Sequence, residues 1–400
     1  MEWKEVRLGD VCTKITDGSH FSPKAQTEGY PMLSVKDMRE YDFDFSNCKK
    51  ISYEDYLKMG RDGCVPQIGD VLVAKDGSYL KEIFRCKEQR EIALLSSIAI
   101  FRPNSQLIDS RFLCYCLKSP RVYNYISLNC VSGSALPRII LKDFKGVNIR
   151  VPSLDDQRRI ASILSSLDRK IELNNKINAD LEEMAQAIFM NWFVDFEPFK
   201  DGKFVDSELG MIPEGWKVGT LEDIAEITMG QSPAGNSLNE NGEGMIFYQG
   251  SSDFGFRFPS IRVFTTEPKR LAVANSVLFS VRAPVGDINV AKEECCIGRG
   301  VASIKSKYGH DSYLFYAMKS LHKLFDSFDG EGTVFGSINK KTLSAIQILL
   351  PSDGIVEQFN NVASSFDDRI RSLSDENSRL SLLRDTLLPR LMSGEIEVPE

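Results

Sequence analysis

Glycine and serine recur beside hydrogen-bonding side chains in several short segments, a combination suited to reading nucleic-acid bases. Glycine lets a backbone approach a DNA groove closely, and Arg or Gln can form paired hydrogen bonds with guanine or adenine edges. Taken singly, each segment is more often an ordinary turn. The candidate residues are Gly18, Ser19, His20, Lys75, Ser78, Ser132 and Arg138 in the N-terminal half and Gln231, Ser232, Arg282, Gly286, Arg299 and Thr333 in the C-terminal half.

Motifs typical of catalysis are missing from the sequence. It has no Asn/Asp-Pro-Pro-aromatic methylation motif, no P-loop and no GxGxxG. Asp76 and Asp253 belong to no carboxylate cluster with metal-binding spacing, and three histidines with nine cysteines but no CxxC pair predict no metal site. We therefore predict a non-catalytic chain without a cofactor of its own, whose thiols are reduced and mostly buried.

The chain repeats itself at an offset of 199 residues, since Ser165–Ile171 reads SSLDRKI and Ser364–Ile370 reads SSFDDRI. Residues 133–152 align without a gap on residues 332–351 at the same offset, and the segment from Trp3 resembles the segment from Trp216. A period near 200 residues is far longer than a solenoid repeat, so the repeated unit is a whole domain with an appended helix. This duplication predicts a pseudo-twofold molecule.

The regions between these repeated segments share only scattered features. Residues 21–136 and 233–335 differ in most positions. Each region contains an apolar run, near Val71–Ala74 in the first and near Val277–Ser280 in the second. The repeated segments therefore flank regions that differ between the two copies. Such an arrangement is typical of a protein that presents two different recognition surfaces in a fixed geometry.

Two long helices are indicated by apolar residues at alternating spacings of four and three. Residues 165–193 would form a helix about 40 Å long, slightly more than the roughly 34 Å of one B-DNA turn. A twofold relation between the repeats would make the helices antiparallel, and Pro389 predicts a kink or an end in the second. The predicted coiled-coil seams contain Leu167, Ile171, Asn178, Leu181 and Ile188 in the first helix and Phe366, Ile370, Asn377, Leu380 and Leu387 in the second.

One alternative for these segments is a pair of ordinary amphipathic helices, each packed on its own domain. The matched positions of Asn178 and Asn377 favour a coiled coil, because a buried Asn commonly fixes the register of helix pairing. Short β-branched and aromatic runs separated by Gly and Asn/Asp turns predict β-rich modules. The expected fold class is α+β, with two β-rich domains in tandem separated by an antiparallel helical pair.

The predicted domains are a first module (residues 1–152), a first helix (153–200), a connector (201–215), a second module (216–351) and a second helix (352–400). Charge follows this division. Although the net charge is −7, residues 75–150 contain 13 Lys and Arg against 6 Asp and Glu, and residues 252–310 contain 9 against 5. Basic module surfaces facing DNA and acidic helices facing protein would explain this distribution, but solvated helices are also often acidic.

Several segments resemble the specificity (S) subunit of Type I restriction-modification systems, and the resemblance covers essentially the whole chain. The most specific segments are the DQRRIA and LDRKI sequences of the first helix, the LGMIPEGW connector (209–216) and the LPRLMSG sequence (388–394). The DGSH, SVRAPVGDIN and GRGVA segments are similar to pieces of the family's target-recognition domains. The resemblance implies two target-recognition domains, each reading one half of a bipartite double-stranded DNA site.

In such a complex the helices would set the spacer between the half-sites and dock two methyltransferase subunits, and through them the restriction subunits. S-adenosylmethionine would belong to the methyltransferase partner, and ATP and Mg to the restriction partner. We expect a cytoplasmic location, because the sequence shows neither a signal peptide nor a span long enough for a bilayer. Two alternatives from other classes are a free-standing DNA-binding regulator and a coiled-coil scaffold.

Overall fold

A computed structural model describes residues 2–77, 80–132, 137–328 and 336–398. The chain divides into two units, and each contains one module together with parts of both long helices. The first unit comprises Met1–Asn175 and Ser374–Glu400, and the second comprises Lys176–Leu373.

The first unit combines short strands with short helices. Its strands are β1 (Lys4–Arg7), β2 (Cys12–Asp17), β3 (Tyr30–Leu33), β4 (Lys49–Ile51), β5 (Val71–Ala74), β6 (Ile83–Arg85), β7 (Ala93–Leu94), β8 (Ile98–Pro103), β9 (Val131–Ser132), β10 (Arg138–Ile139) and β11 (Asn148–Val151). Its short helices are α1 (Leu8–Val11), α2 (Tyr53–Arg61), α3 (Ser110–Lys118), α4 (Pro120–Asn129) and α5 (Leu141–Gly146), with a 3-10 turn at Val35–Asp37.

A long helix, α6 (Leu154–Phe193), follows β11 and leads into the second unit. The strands there are β12 (Phe204–Val205), β13 (Ile212–Pro213), β14 (Lys217–Thr220), β15 (Ala225–Met229), β16 (Leu238–Asn239), β17 (Met245–Tyr248), β18 (Val263–Thr265), β19 (Leu271–Ala272), β20 (Val277–Ser280), β21 (Ile288–Val290), β22 (Cys295–Ile297), β23 (Val301–Ser306) and β24 (Gln347–Leu350). The helices are α7 (Leu221–Ile224), α8 (Asp311–Ser320), α9 (His322–Asp326), α10 (Lys340–Ser344) and the long α11 (Asp353–Ser393), with 3-10 turns at Glu197–Phe199, Gly235–Ser237 and Ser251–Asp253.

The two modules repeat one sheet topology. The first contains an antiparallel sheet of order β2-β8-β5-β6, and the second contains its counterpart, β15-β23-β20-β21. Each module also has a mixed sheet with one parallel pair, β3 with β7 and β17 with β22. A two-stranded sheet then joins the start of each module to its end, β1 with β11 and β14 with β24. The predicted tandem of β-rich domains is confirmed.

The central strands are apolar because both of their faces are covered. All four residues of Val71–Ala74 are buried, as are all four of Val277–Ser280. A strand that is buried on both faces reads as a continuous apolar run without alternation. These runs account for the match between the strands expected from sequence and the strands observed.

Helix α6 begins after Ser153, whose Oγ accepts a hydrogen bond from the Asp156 N–H (3.2 Å) and so caps the first turn. With 40 residues, it is about 60 Å long, which exceeds the length expected from the heptads alone. Helix α11 continues through Pro389 to Ser393, so it does not end at the proline, and the kink expected there as the alternative stays a prediction. That the length of α6 sets a distance of about one DNA turn between the two half-sites stays a prediction.

Within each unit, the parts of α6 and α11 run antiparallel. In the first unit Asp168 contacts Arg384, whereas Asn174, further along α6, contacts Asn377, earlier in α11. In the second unit Arg257 bridges Glu182 and Asp367, whereas Phe189, further along α6, packs against Phe359, earlier in α11, with 5.5 Å between ring centroids. The helical pair expected from the duplication is therefore present in each unit.

Burial along the helices differs between the two predicted seams. Among the seam residues of α11, Ile370 is buried and Phe366, Asn377, Leu380 and Leu387 are half-buried. In α6, Ile171 and Asn178 are buried, but Leu167, Leu181 and Ile188 are only half-buried. The buried positions beside them are Asp168, Glu182 and Phe189. The buried stripe of α6 is thus displaced by one residue over much of its length, because this helix also packs against the modules.

Candidate nucleic-acid interface

Three loops of the first module come together although they are far apart in sequence. The Lys75 carbonyl accepts a hydrogen bond from the Ile139 N–H (3.0 Å), and the Gly77 N–H donates to the Pro137 carbonyl (2.9 Å). Asp76 and Arg138 form an antiparallel bridge between the same two loops. The loop after β5 is therefore joined by its backbone to the segment that contains β10.

A chain of charges links these loops to the DGSH loop that follows β2. Asp17 Oδ2 lies 3.3 Å from both His20 Nε2 and Lys75 Nζ. Asp76 Oδ1 lies 3.3 Å from both Lys75 Nζ and Arg138 Nε. The Lys75 side chain is only 5% exposed, whereas the His20 and Arg138 side chains are 75% and 59% exposed. Lys75 is therefore placed to hold the loops together, and the His20 imidazole and the Arg138 guanidinium are presented to solvent.

The remaining first-module candidates have mainly structural contacts. A Cβ added at Gly18 would lie 2.2 Å from the Leu94 carbonyl oxygen, so this glycine permits a close approach of two backbone segments. The Ser19 N–H donates to the same carbonyl (2.7 Å), and the Ser19 hydroxyl donates to the Phe21 carbonyl (2.8 Å). The Ser132 hydroxyl donates to the Arg138 carbonyl (3.3 Å). Gly18 and these serines shape the loops that carry His20 and Arg138.

The second module builds its surface from the corresponding strand ends. A Cβ at Gly230, directly after β15, would lie 2.1 Å from the Gly298 carbonyl oxygen. The Gly230 N–H donates to the Val301 carbonyl, and the Gln231 N–H donates to the Ile297 carbonyl, both at 2.9 Å. The glycine after the first strand of the four-stranded sheet therefore has the same packing role in both modules.

One residue at this surface, Gln249, was not predicted from the sequence. The Ser232 hydroxyl donates to Gln249 Oε1 (2.9 Å) and accepts a hydrogen bond from the Arg299 N–H (3.2 Å). The Gly300 N–H donates to the Gln249 carbonyl (3.1 Å). Gln231, Gln249 and Arg299 are all exposed. No motif marks Gln249, which follows β17 in an ordinary Tyr-Gln-Gly sequence.

Arg282 and Gly286 lie on the loop after β20 and have different surroundings. Arg282 is exposed and forms an antiparallel bridge with Ser337, and the preceding Val281 N–H donates to the Gly300 carbonyl (3.0 Å). Gly286 is buried with φ of +100°, and a Cβ there would lie 2.4 Å from Cβ of Phe325. Gly286 is thus a turn and packing residue, whereas Arg282 is presented beside the Gly300 loop.

Two predicted contact residues, Ser78 and Thr333, lie outside the described residues. The other predicted DNA-contacting residues fall into three groups by exposure. Gly18, Lys75 and Gly286 are buried, Ser19 and Ser232 are half-buried, and the exposed group is His20, Ser132, Arg138, Gln231, Arg282 and Arg299. DNA contact by the exposed group stays a prediction.

A buried carboxylate ties the first module to its helices. Asp168 of α6 accepts hydrogen bonds from Tyr115 Oη (2.5 Å) and from Arg384 Nη1 of α11 (2.9 Å), and a longer one from Tyr41 Oη (3.3 Å). Burial, reinforced by the negative charge of Asp168, raises the pKa of Tyr115, so the phenol stays protonated and donates to Asp168.

The second module is tied to its helices by Arg257, whose side chain is 3% exposed. Its guanidinium donates to Glu182 of α6 (3.0 Å), to Asp367 of α11 (2.7 Å) and to Tyr316 Oη (2.9 Å). The guanidinium also lies over the Phe315 ring at 3.9 Å from its centroid. The buried carboxylate of Glu182 and the half-buried carboxylate of Asp367 are therefore balanced by a planar cation that can contact both.

Comparison with known proteins defines the family. The sequence profile of the Type I restriction modification DNA specificity domain matches residues 1–183 and 213–380. The chain belongs to this family. The two matched segments each contain one module and part of the long helix that follows it, which is the duplicated unit recognised in the sequence.

Specificity subunits are similar to this chain over nearly its full length. The putative type I restriction enzyme MjaX specificity subunit of Methanocaldococcus jannaschii is 30% identical over 413 residues, covering 99% of this chain and 94% of the relative. The HindI specificity subunit of Haemophilus influenzae is 24% identical and covers 99% and 100%. The crystal structure of a Type-I restriction-modification system S subunit from M. genitalium has a TM-score of 0.60 at 16% identity, covering 98% and 96%, and supports the fold.

The predicted resemblance to Type I specificity subunits is thereby confirmed. Across the described ranges, no group of three or more His, Cys, Asp or Glu side chains is arranged to hold a metal ion. In the same part of the chain, no helix is both long enough and apolar enough to cross a membrane.

Proposed function

We propose that this specificity subunit reads a bipartite DNA site, with each module contacting one half. The observation that carries the proposal is the contrast between repeated frame and unrepeated surface. Both modules share a sheet order and a close-packed glycine after the first strand, Gly18 or Gly230. One then presents His20 and Arg138, and the other presents Gln249, Arg282 and Arg299. Arg and Gln side chains are well suited to bonding base edges in the major groove.

The helices, in this proposal, set the spacer and dock two methyltransferase subunits, which in turn recruit the restriction subunits. Apolar side chains exposed on the helices support a protein partner. Leu382 of α11 is 70% exposed and Leu173 of α6 is 53% exposed, both in the first unit. Met184 and Val362 are similarly exposed in the second unit. Exposed apolar groups on helices that already pack on one side are typical of docking surfaces.

The chain itself is, in this proposal, non-catalytic and acts in the cytoplasm. The methyltransferase partner brings S-adenosylmethionine and modifies adenine, which it reaches by turning the base out of the duplex. ATP and Mg belong to the restriction partner. The recognition modules need only bind and orient DNA.

A map of methylated adenine in the host genome, recorded with and without this gene, tests the proposal. We expect deletion to remove one bipartite motif made of two short half-sites separated by a fixed spacer. Complementation with a chain whose first module is replaced by that of a related subunit should change one half-site and leave the other. An unchanged map on deletion, despite expression of the methyltransferase partner, would contradict the proposal and favour a free-standing regulator.

A further inference from the structure

The side chain of Gln249 is held in one orientation by its neighbours. The backbone N–H of Arg299 can only donate, and it donates to Ser232 Oγ at 3.2 Å. The Ser232 O–H in turn donates to Gln249 Oε1 at 2.9 Å. In this arrangement the amide oxygen of Gln249 is directed at Ser232, and Nε2 has no hydrogen-bond partner within the described part of the chain.

Two glycines make room for this arrangement. A Cβ at Gly298 would lie 2.7 Å from Gln249 Oε1, and a Cβ at Gly300 would lie 2.6 Å from the Gln249 carbonyl oxygen. Larger residues at these positions would displace the glutamine from the loop that carries Arg299. The GRG sequence at 298–300 therefore presents Arg299 and also leaves room for Gln249, which follows β17, to pack against the same loop.

We propose that Gln249 is a specificity-determining residue of the second module and that its Nε2 donates to the major-groove edge of a guanine. This inference rests on the proposed function and names one chemical determinant of it. Ser232 acts as a positioning residue, since it contacts the amide oxygen and orients the nitrogen outward. Arg299, exposed on the same loop cluster, supplies further donors.

The chemistry of the bases favours guanine over the other three. Guanine presents two acceptors, N7 and O6, in the major groove, whereas adenine pairs its N7 acceptor with an N6 donor. A glutamine reads adenine by using both its amide oxygen and its amide nitrogen. Because Gln249 Oε1 is directed at Ser232, the amide group that can be presented to DNA is the Nε2 donor, which matches an acceptor-only edge.

The test is the methylated-adenine map recorded with three variants in the native complex. Gln249→Glu keeps an oxygen for Ser232 and replaces the donor with an acceptor. We expect methylation of sites with guanine at one position of one half-site to fall about tenfold or more, since a good base contact discriminates by at least that factor. Sites with cytosine at that position should gain, because Glu accepts from cytosine N4.

Ser232→Ala provides a second and more specific readout. Freeing the amide oxygen of Gln249 should allow adenine as well as guanine at the same position, because the glutamine can then bond both adenine groups. Gln347→Ala is the control, because Gln347 is an exposed glutamine on β24, in a separate two-stranded sheet, and it contacts Glu208. We expect the control to leave every base preference unchanged.

The outcomes separate this inference from the proposed function. Absence of any gene-dependent bipartite motif in the wild type would overturn the proposed function. A normal bipartite motif with unchanged base preferences in Gln249→Glu would overturn only the role of Gln249. If this variant abolishes methylation, the purified complex is tested on duplexes substituted one base at a time. Loss of discrimination at one position supports the inference, and an equal loss on every duplex overturns it.

Discussion

In both units an aspartate of a long helix accepts a hydrogen bond from a tyrosine of the module, but the arginine that pairs with the aspartate comes from a different element in each unit. Asp168 and Asp367 occupy matched positions in the two repeats, and each accepts from a tyrosine of its own module, Tyr115 or Tyr316. In the first unit the cation is Arg384 of α11. In the second unit it is Arg257, which belongs to the module. The aspartate is therefore present at the matched position of both repeats, although the arginine that pairs with it comes from a long helix in one unit and from the module in the other.

The same comparison distinguishes the recognition surfaces. In the first module His20, Lys75 and Arg138 all pair with Asp17 or Asp76. The surface of the second module is organised instead by neutral hydrogen bonds through Ser232. Cations paired with carboxylates are partly neutralised before any DNA binds, whereas a neutral amide keeps its full capacity to donate. The two surfaces are thus expected to differ in salt dependence as well as in sequence preference.

The largest effect is expected where the cation is most buried. Arg257→Met leaves Glu182 and Asp367 without their shared guanidinium, and breaking a buried pair costs about 3–5 kcal/mol of unfolding free energy. Arg384→Met should cost less, about 1–3 kcal/mol, because the Arg384 side chain is 16% exposed and that of Arg257 only 3%. Urea unfolding followed by hydrogen exchange in each unit measures both losses.

The control for this comparison is Arg262→Met, since Arg262 pairs with Asp253 but its side chain is 57% exposed. An exposed ion pair contributes little to stability, so we expect Arg262→Met to lose much less than Arg257→Met. Equal losses for Arg257→Met and Arg384→Met would show that burial of the cation does not distinguish the two units.

Substituting the matched glycines tests how similar the frames are. Gly18→Ala and Gly230→Ala each place a Cβ within 2.2 Å of a backbone carbonyl oxygen. We expect each to destabilise its own unit by about 1–3 kcal/mol, as overpacking commonly does. Gly235→Ala, with nothing within 4 Å of its Cβ, is the control. Thermal unfolding measures the change, and a cost at only one of the two glycines would mean that the loops differ more than their backbones suggest.

Alkaline pH should destabilise the first unit more than the second. Seven of the nine cysteines lie in the first unit, and burial raises the pKa of Cys116 to about 12. A thiol whose pKa is higher in the folded chain stabilises it fully below the unfolded pKa, and this contribution is lost as pH rises from about 9 to about 12. Cys116 should remove about 1.4 kcal/mol per pH unit in that window.

Hydrogen exchange at pH 7 and pH 10 measures this difference between the units. Cys116→Val, which removes one of the buried thiols, should make the stability of the first unit less dependent on pH above 9. Equal loss of protection in both units would indicate that the tyrosines, which both units bury, dominate the alkaline response.

The smallest effect concerns the asparagines of the helical seams. In the first unit Asn377 accepts from Asn174 Nδ2 (2.8 Å) and donates to Asn175 Oδ1 (2.7 Å). In the second unit Asn178 is buried, and its Oδ1 lacks a partner among the described residues. Asn377→Leu should cost about 1–2 kcal/mol, whereas Asn178→Leu should be close to neutral. Denaturant unfolding of both variants checks this, and a larger loss for Asn178→Leu would contradict it.

Local patterns in the sequence predicted the two long helices. They predicted less well which residues of each helix are buried. The buried stripe of α11 contains Ile370, a residue of the predicted seam, and Leu373. The stripe of α6 is displaced to Asp168, Glu182 and Phe189. Polar residues such as Asp168 and Glu182 do not contribute to an apolar period, so their burial beside Tyr115 and Arg257 has no signature in hydrophobic spacing.

By itself, the sequence determined the duplication, the β-rich modules, the two long helices and the family, because each depends on a repeat, a local period or a contiguous motif. Only the tertiary structure decided which loop residues meet. Asp76 reaches Arg138 and Ser232 reaches Arg299 across more than 60 residues of chain. Such contacts follow from strand order, which local periodicity does not encode. For that reason Lys75 was predicted as a DNA contact although it is buried, and Gln249 was not predicted although it is exposed.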